Sequence, residues 1–475
     1  MTSVLEEWPW AYVLLDSHAM QNCHYCLQKC DDPLECSVCE FARKAWPDHN
    51  SECFLLARSA FDLPDALVRL ISRVLLKINT QGSKTDSLMT TTLTTYKKLT
   101  FDDLQSHNKN TSDDPFKAFN FAQCVHKLHM YMDNERIPDS AELMNIYGKI
   151  LFNSMLILNN DLNPIGIGIY LALSQFEHSC IPNSVVVFNG PMALLNYLSP
   201  NMPDNKEVAT SYTLSYVPIM EETDTRRRNL YNEYYFICQC TRCLDEKLDL
   251  IATSLSCKTA KCPGHVTFPQ PKEFKDSELT PTPKSESTAM AKCDLCGRIA
   301  ENLWLSQILM IAFLLALTAR CSRADAKFNM IVDLYKKETQ DLHPLNVYLI
   351  RTKCILTNAC VCRGLTSDAL KHYEELLPLL RYYLPDNHPM LAVVELNIGN
   401  LQCKFKNWDI AKCHFVEAAK IMKFSHSRSH PLRKTAARCV AACETAMKKG
   451  IRTVNDNAPP SGTPNDQGKN RVQLI

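Results

Sequence analysis

The feature that most narrows what this chain can fold into is the spacing of its cysteines. Of 475 residues 23 are cysteine, and 15 of those precede residue 300, most of them in tight local groups. Thiolates a few residues apart can take two corners of a tetrahedral metal from one turn of chain, and a second such pair closes the site. The first group is Cys23, Cys26, Cys30, Cys36, Cys39, His49 and Cys53, spaced C-x2-C, C-x2-C, H-x3-C. Reduced core cysteines do not explain such a set in a polar stretch with Asp31, Asp32 and Asp48, so ligation is the expected role. The second group, Cys238, Cys240 and Cys243, offers three ligands and needs a fourth, for which Cys180 is the candidate. The third is Cys257 and Cys262 with Cys293 and Cys296, across a long polar loop. Two readings stay open for it, a zinc ribbon and unligated surface thiols. The remaining eight cysteines, from Cys321 to Cys443, are mostly singletons on helical patterns and read as small core hydrophobes.

Composition matters here for what it excludes. Lys plus Arg total 52 against 51 acidic residues, so no global charge draws the chain to nucleic acid or anionic membrane. The first group of cysteines, 23–53, carries only Lys29, Arg43 and Lys44, which argues against sequence-specific nucleic-acid binding there. An apolar share of 46% excludes wholesale disorder, and the length suits two to four domains. Residues 1–15 lack the basic start and apolar run of a secretory leader, and this with the many thiols predicts an intracellular chain, cytoplasmic and nuclear. The longest uncharged run, 308–319, falls short of the roughly 20 residues a bilayer needs and reads as a buried helix. The tail after Gly450 has no apolar periodicity and is expected to be disordered.

Periodicity then places the groups. Apolar residues from Leu63 to Ile78 recur at helical spacing, a Ser/Thr-rich connector runs over 80–95, and 116–132 and 141–158 again read as helices. From Gly166 to Tyr216 the texture is of short strands and turns, with Val185–Phe188 ended by Asn189-Gly190-Pro191. Beyond Glu301 the pattern is helical, marked by His343-Pro344, His388-Pro389 and His430-Pro431 at intervals of 45 and 42 residues. Each is expected to open a helix with proline in its first turn, as in stacked helix-pair repeats, and a plain helical bundle is the alternative.

Two further segments carry a resemblance. Phe176-Glu177-His178-Ser179-Cys180-Ile181-Pro182-Asn183 resembles the N-H-S-C-x-P-N segment of SET domains. Leu214-Ser215-Tyr216, followed by Cys238-Gln239-Cys240-Thr241-Arg242-Cys243, resembles the catalytic tyrosine strand and post-SET cysteines. With 23–53 resembling a MYND zinc finger and a tetratricopeptide-like C-terminus, the chain resembles the SET- and MYND-domain protein-lysine methyltransferases, the SMYD family. The implied fold is α+β: a β-rich SET domain with an inserted finger and a post-SET zinc site, then an all-α helical domain. The implied segments are a residual N-terminal SET strand over 1–22, the incomplete MYND finger over 23–53, a helical insert over 54–165, and the core SET domain over 166–220. The post-SET region follows over 221–245, the ribbon over 246–300, the helical domain over 301–448 and the tail over 449–475.

The resemblance implies transfer of a methyl group from S-adenosylmethionine to the ε-amine of a protein lysine, on a histone or another protein. Tyr216 matches the tyrosine that orients the amine, Tyr234 a channel position and Phe236 a channel and cofactor position, while Met155 falls on a channel wall. His178, Glu177, Asn153 and His107 match cofactor contacts, a surface histidine being the other reading of His107. Zn2+ is implied at Cys180, Cys238, Cys240 and Cys243, and in the finger at Cys36, Cys39, His49 and Cys53. The family's Y-C-x3-C, which would complete the finger's other zinc site with Cys23 and Cys26, is missing, and Cys30 supplies at most one replacement, so that site is expected to be empty or weak. No membrane contact is implied, and peptide partners at the finger or the helical domain are.

Two further departures set the alternative. The family has a Gly-rich cofactor loop before the finger, whereas this chain opens at about the strand before it, so part of the pocket is expected to be absent, as in a truncated form. Glu177 stands where the family has asparagine, and a carboxylate only accepts hydrogen bonds where an amide also donates. The alternative function is therefore a catalytically impaired zinc-binding scaffold of the same family.

Overall fold

A computed structural model describes residues 3–19, 21–30, 52, 55, 58, 64–93, 98–200, 212–267, 291–299 and 324–449. Cys36, Cys39, His49 and Cys53, the 308–319 run and the tail lie outside the described residues. The chain divides into two compact units that cut across its linear segmentation. The first combines Met1–Glu177, Pro182–Leu214 and Met422–Thr435, and the second His178–Ile181, Ser215–Ile421 and Ala436–Ile475.

The first unit is built on two antiparallel sheets. Strands β1 (Leu5–Glu7), β3 (Met89–Thr91), β7 (Ser184–Asn189) and β8 (Met192–Tyr197) form one in the order β3-β1-β8-β7. Strands β2 (Ala11–Leu14), β4 (Ser154–Leu158) and β5 (Pro164–Ile169) form the other in the order β2-β5-β4. The two N-terminal strands thus enter different sheets, where the sequence suggested one. The central strand needs glycine at 166, where a Cβ would stand 2.8 Å from Val13 O, and is tight at Gly168, where one would stand 3.1 Å from Tyr12 Cβ. The β7–β8 hairpin turns through Gly190-Pro191 with Gly190 at φ +61°, where a side chain would press on the carbonyl of Cys26.

The expected helix after Leu63 is Ala66–Gln81, opened by Asp65 accepting from Val68 N and closed by Gly82 at φ +81°. It buries Val68, Ile71, Val74 and Leu75 against Trp10, Val13 and Ile169. Its polar side is also committed. Arg69, Arg73 and Lys77, one turn apart, donate to the carbonyls of Leu14, Tyr12 and Trp10 at 2.6, 2.7 and 2.6 Å. Three cations thus line a strand at the edge of its sheet.

Three expectations are corrected here. The Ser/Thr-rich connector contains β3, since threonine suits a strand once β1 offers a partner. The 141–158 helix ends at Asn153, and its apolar remainder turns extended at Ser154 to become β4, because pairing with β5 decides what a short apolar run leaves ambiguous. His343-Pro344 does not open its helix, which starts at Val347 because the Asn346 side chain accepts from Tyr348 N and caps it. His388 and His430 do stand at helix entries, with Nδ1 accepting from Met390 N and Leu432 N.

In the second unit, Thr223–Tyr234 and Glu246–Thr253 precede the array Ala324–Asp341, Val347–Cys362, Thr366–Tyr383 and Pro389–Lys404. Consecutive members of that array pack on one another, and Gly399 lets the next helix approach until Phe415 fills the place of its Cβ. Among the described residues no helix is long and apolar enough to cross a membrane.

Candidate functional site

The segment that carries the SET-like motif is held from both sides. Upstream, the buried Glu7 carboxylate accepts from the backbone N–H groups of Ala172 and Leu173 at 2.8 and 3.0 Å and from Ser87 at 2.6 Å. Burial pushes its pKa up to about 7. Downstream, Asn183 Oδ1 accepts from Thr213 N at 2.9 Å, tying this segment to the chain that leads into Tyr216. Both residues escaped the sequence reading as functional groups, although Asn183 belongs to the quoted motif.

Within the second unit, His178, Tyr216, Tyr234 and Phe236 come together as a nest of rings. His178 stands 5.3 Å from Tyr216 and 5.9 Å from Phe236 between ring centroids, and Tyr216 stands 5.0 Å from Tyr234. The backbone N–H of Tyr216 donates to His178 Nδ1 at 3.0 Å, so the imidazole sets the tyrosine's place in the chain. Burial holds His178 down to about 4 and pushes the Tyr234 hydroxyl up to about 12, so both are neutral near pH 7. Tyr235, at φ +59°, caps the helix Thr223–Tyr234 and sends the chain on to Phe236.

The rings rest on sulfur. Tyr216, Tyr234 and Phe236 pack against a buried group that includes Cys180, Cys238 and Cys243. The sulfurs of Cys180, Cys238, Cys240 and Cys243 all lie within 4.8 Å of one another, with Cys180 at 4.0 Å from Cys238 and 3.5 Å from Cys243. A tetrahedral zinc with Zn–S bonds of about 2.3 Å needs sulfurs roughly 3.8 Å apart, so the donor set fits Zn2+. Two buried arginines offset the charge of such a thiolate group. Arg226 Nη2 donates to Cys243 Sγ at 3.6 Å, and Arg242 Nη1 donates to Cys180 O at 3.3 Å. Arg227 adds bonds to the carbonyls of Cys238 and Cys243. Nothing in a run of three arginines marks one of them for burial, and these partners were not found from sequence.

Apart from a second group of cysteines in the second unit, the other candidate residues lie in the first unit. His107 is left-handed at φ 48°, largely exposed, and sets its ring edge-on to Phe152 at 4.8 Å. Asn153 donates both to Gln105 O at 2.9 Å and to Lys149 O at 2.8 Å, which commits its amide N–H groups to the protein and leaves Oδ1 for other contacts. These bonds bring the 104–107 loop onto the helix Ser140–Asn153, where Gly148 is essential: a Cβ there would sit 2.2 Å from Ser106 O. Met155 is half-buried on β4, and Glu177 is exposed. Cys23, Cys26 and Cys30 cluster with Tyr25, with Tyr25 N donating to Cys23 Sγ at 3.4 Å. The sulfurs of Cys257, Cys262, Cys293 and Cys296 form a second tetrad within 4.8 Å.

Comparison with known proteins gives the same direction. No family model matches the chain. It is 25% identical over 454 residues to the histone-lysine N-methyltransferase SMYD3 of Homo sapiens, covering 93% of this chain and 92% of that protein. It is 24% identical over 451 residues to the histone-lysine N-methyltransferase ASHR1 of Arabidopsis thaliana, covering 91% and 88%. With the N-lysine methyltransferase SMYD2-A of Xenopus laevis it shares 22% over 439 residues, 89% of each chain. Similarity is sustained along nearly the whole length of several SMYD proteins and the motif residues meet in space, which supports the resemblance to the SMYD family.

Proposed function

We propose that the chain is an S-adenosylmethionine-dependent protein-lysine methyltransferase in which Tyr216 orients the lysine amine. The observation that carries this reading is the nest of His178, Tyr216, Tyr234 and Phe236 on the Cys180 tetrad. Aromatic faces attract a cation, which suits both a sulfonium and an incoming ammonium group. S-adenosylmethionine, when bound, supplies an electrophilic methyl group; His178 and Phe236 are the residues of this unit to hold it. Tyr216 and Tyr234 then act on the amine. Their hydroxyl oxygens accept from its N–H groups and aim its lone pair, and the apolar ring walls favour the uncharged amine that is the nucleophile. The Cys180 tetrad with Zn2+ fixes both chain segments, 178–181 and 236–243, that carry the rings.

SMYD2, SMYD3 and ASHR1 carry lysine or histone-lysine methyltransferase in their names, which supports protein lysine as the substrate class. The direct experiment is transfer of isotope-labelled methyl from S-adenosylmethionine to histone and non-histone protein, with calorimetric titration of the cofactor alongside. Binding and transfer support the reading, and no cofactor binding at millimolar concentration overturns it. A second reading, a zinc-dependent scaffold without turnover, draws on exposed Glu177 in place of an amide and on the Asn153 amide N–H groups being committed within the protein. It is favoured if the protein retains zinc and binds peptides but not cofactor.

A further inference from the structure

The second unit carries four thiols that the methyl-transfer reading leaves without a task. Cys257 and Cys262 lie between β10 (Leu255–Ser256) and β11 (His265–Thr267), while Cys293 ends β12 (Lys292–Cys293) and Cys296 follows. The three strands pair antiparallel, Leu255 with Val266 and Val266 with Cys293. Strands of two or three residues are far below the usual five or six, and a sheet of this size needs another constraint to persist.

The geometry points to a Zn2+ held by Cys257, Cys262, Cys293 and Cys296, acting as a clasp on the start of the helical array. Cys257 and Cys296 sulfurs are 3.6 Å apart and those of Cys262 and Cys293 3.8 Å, matching the edge of a tetrahedral zinc–thiolate site of roughly 3.8 Å. The loops are shaped for it. Thr259 N points at Cys257 Sγ at 3.4 Å, Gly297 turns back at φ +67°, and a Cβ on Gly264 would stand 2.6 Å from Cys293 Sγ. Four thiolates without a nitrogen or oxygen ligand favour zinc over the harder divalent ions.

What the clasp holds is the junction between the helices Ala324–Asp341 and Val347–Cys362. Leu255 bridges to Leu342, Ser256 Oγ donates to Leu342 O at 2.9 Å, and His343 N donates to Ser254 O at 3.1 Å. Buried Asn346 donates to Ser254 O at 2.9 Å while its Oδ1 caps the following helix. Lys258, next to Cys257, reaches Gln340 O at 2.7 Å and Asp341 Oδ1 at 2.5 Å. Segment 254–258 is therefore bonded at one end to the metal ligands and along its length to the turn that sets the array's first helix pair. Metal binding at this tetrad and the order of that turn are coupled.

The test uses the full chain, is independent of methyl transfer, and reads each cysteine separately. Thiol alkylation followed by peptide mass spectrometry is compared before and after chelation, with elemental analysis alongside. Protection of all four cysteines before chelation, their alkylation after it, and release of zinc support the site. Alkylation of the four before chelation, or iron in place of zinc, overturns it. The Cys257→Ser/Cys296→Ser double variant is expected to carry one zinc fewer per chain, and an unchanged zinc content overturns the assignment. If that variant does not fold, the alkylation pattern of the unaltered chain still decides. Hydrogen exchange at 254–258 and 342–346 should rise on chelation, and unaltered exchange there overturns the clasp.

Discussion

Arg226 lays a buried guanidinium 3.6 Å from the buried sulfur of Cys243, with Arg242 bonded to the carbonyl of Cys180 on the other flank. A zinc bound by four thiolates carries a charge of about −2, which in a low-dielectric site needs compensation. Arg226→Gln keeps part of the hydrogen bonding and removes the charge. Its zinc affinity, read by chelator competition, should fall about 10- to 100-fold, while Arg226→Lys should lose less. Equal affinity in Arg226→Gln and the unaltered protein would show that the guanidinium has only a packing role.

Tyr216 is fixed through its backbone by His178 and through its ring by Tyr234. Removing only its hydroxyl should therefore leave the nest intact. Tyr216→Phe is expected to lower methyl transfer by about 10²- to 10⁴-fold with cofactor affinity within a few-fold of the original. Activity close to the original would move the amine-orienting role to another residue, with Tyr234→Phe as the next variant to assay.

Glu7 makes stability pH-dependent. Its folded pKa is raised to about 7 from an unfolded 4.5, chiefly by burial, so the native state keeps a proton that the unfolded chain releases. For an acid shifted upward, the stabilising contribution is present below the unfolded value and declines as pH rises toward the folded one. Between pH 4.5 and 7 this group should lower stability by on the order of 3 kcal/mol. Urea unfolding across that window checks it, and Glu7→Gln should flatten the slope. An equal slope in both proteins would assign the pH dependence to other groups.

Arg73 pairs with Glu52 and also donates to Tyr12 O at 2.7 Å, both side chains being nearly removed from water. Arg73→Met strands a buried carboxylate and should cost about 3–5 kcal/mol. The double variant Arg73→Met with Glu52→Leu should recover much of that loss. Chemical denaturation of the three proteins measures it, and additive losses would mean that the pair is not coupled.

Features set by neighbours in sequence were legible before the structure. Knuckle spacing grouped seven of the eight sulfurs of the two tetrads, and apolar periodicity from Leu63 to Ile78 marked the helix Ala66–Gln81. What escaped depends on partners far along the chain. Met155 to Leu158 is apolar in either helix or strand, and only β5 makes it a strand. Arg226 and Glu7 look like surface charges until a sulfur cluster and two backbone N–H groups surround them. His343 matched the repeat in sequence, but Asn346 is better placed to cap. The motif residues His178, Tyr216, Tyr234 and Phe236 were found by their resemblance to a family, since periodicity alone does not join positions 58 residues apart.

Buried His430 donates Nε2 to Phe188 O at 3.0 Å, across 242 residues, and the surrounding 422–435 segment belongs to the β-rich first unit. Synthesis runs from the N-terminus, so β7 and β8 leave the ribosome long before the residues that complete their unit. The last contributions to that unit follow nearly all of the helical array. The two units are therefore interleaved in synthesis, and the strands of the β-rich one are made some two hundred residues ahead of its last segment. A nascent chain arrested before residue 422 should need chaperone protection that the released chain does not.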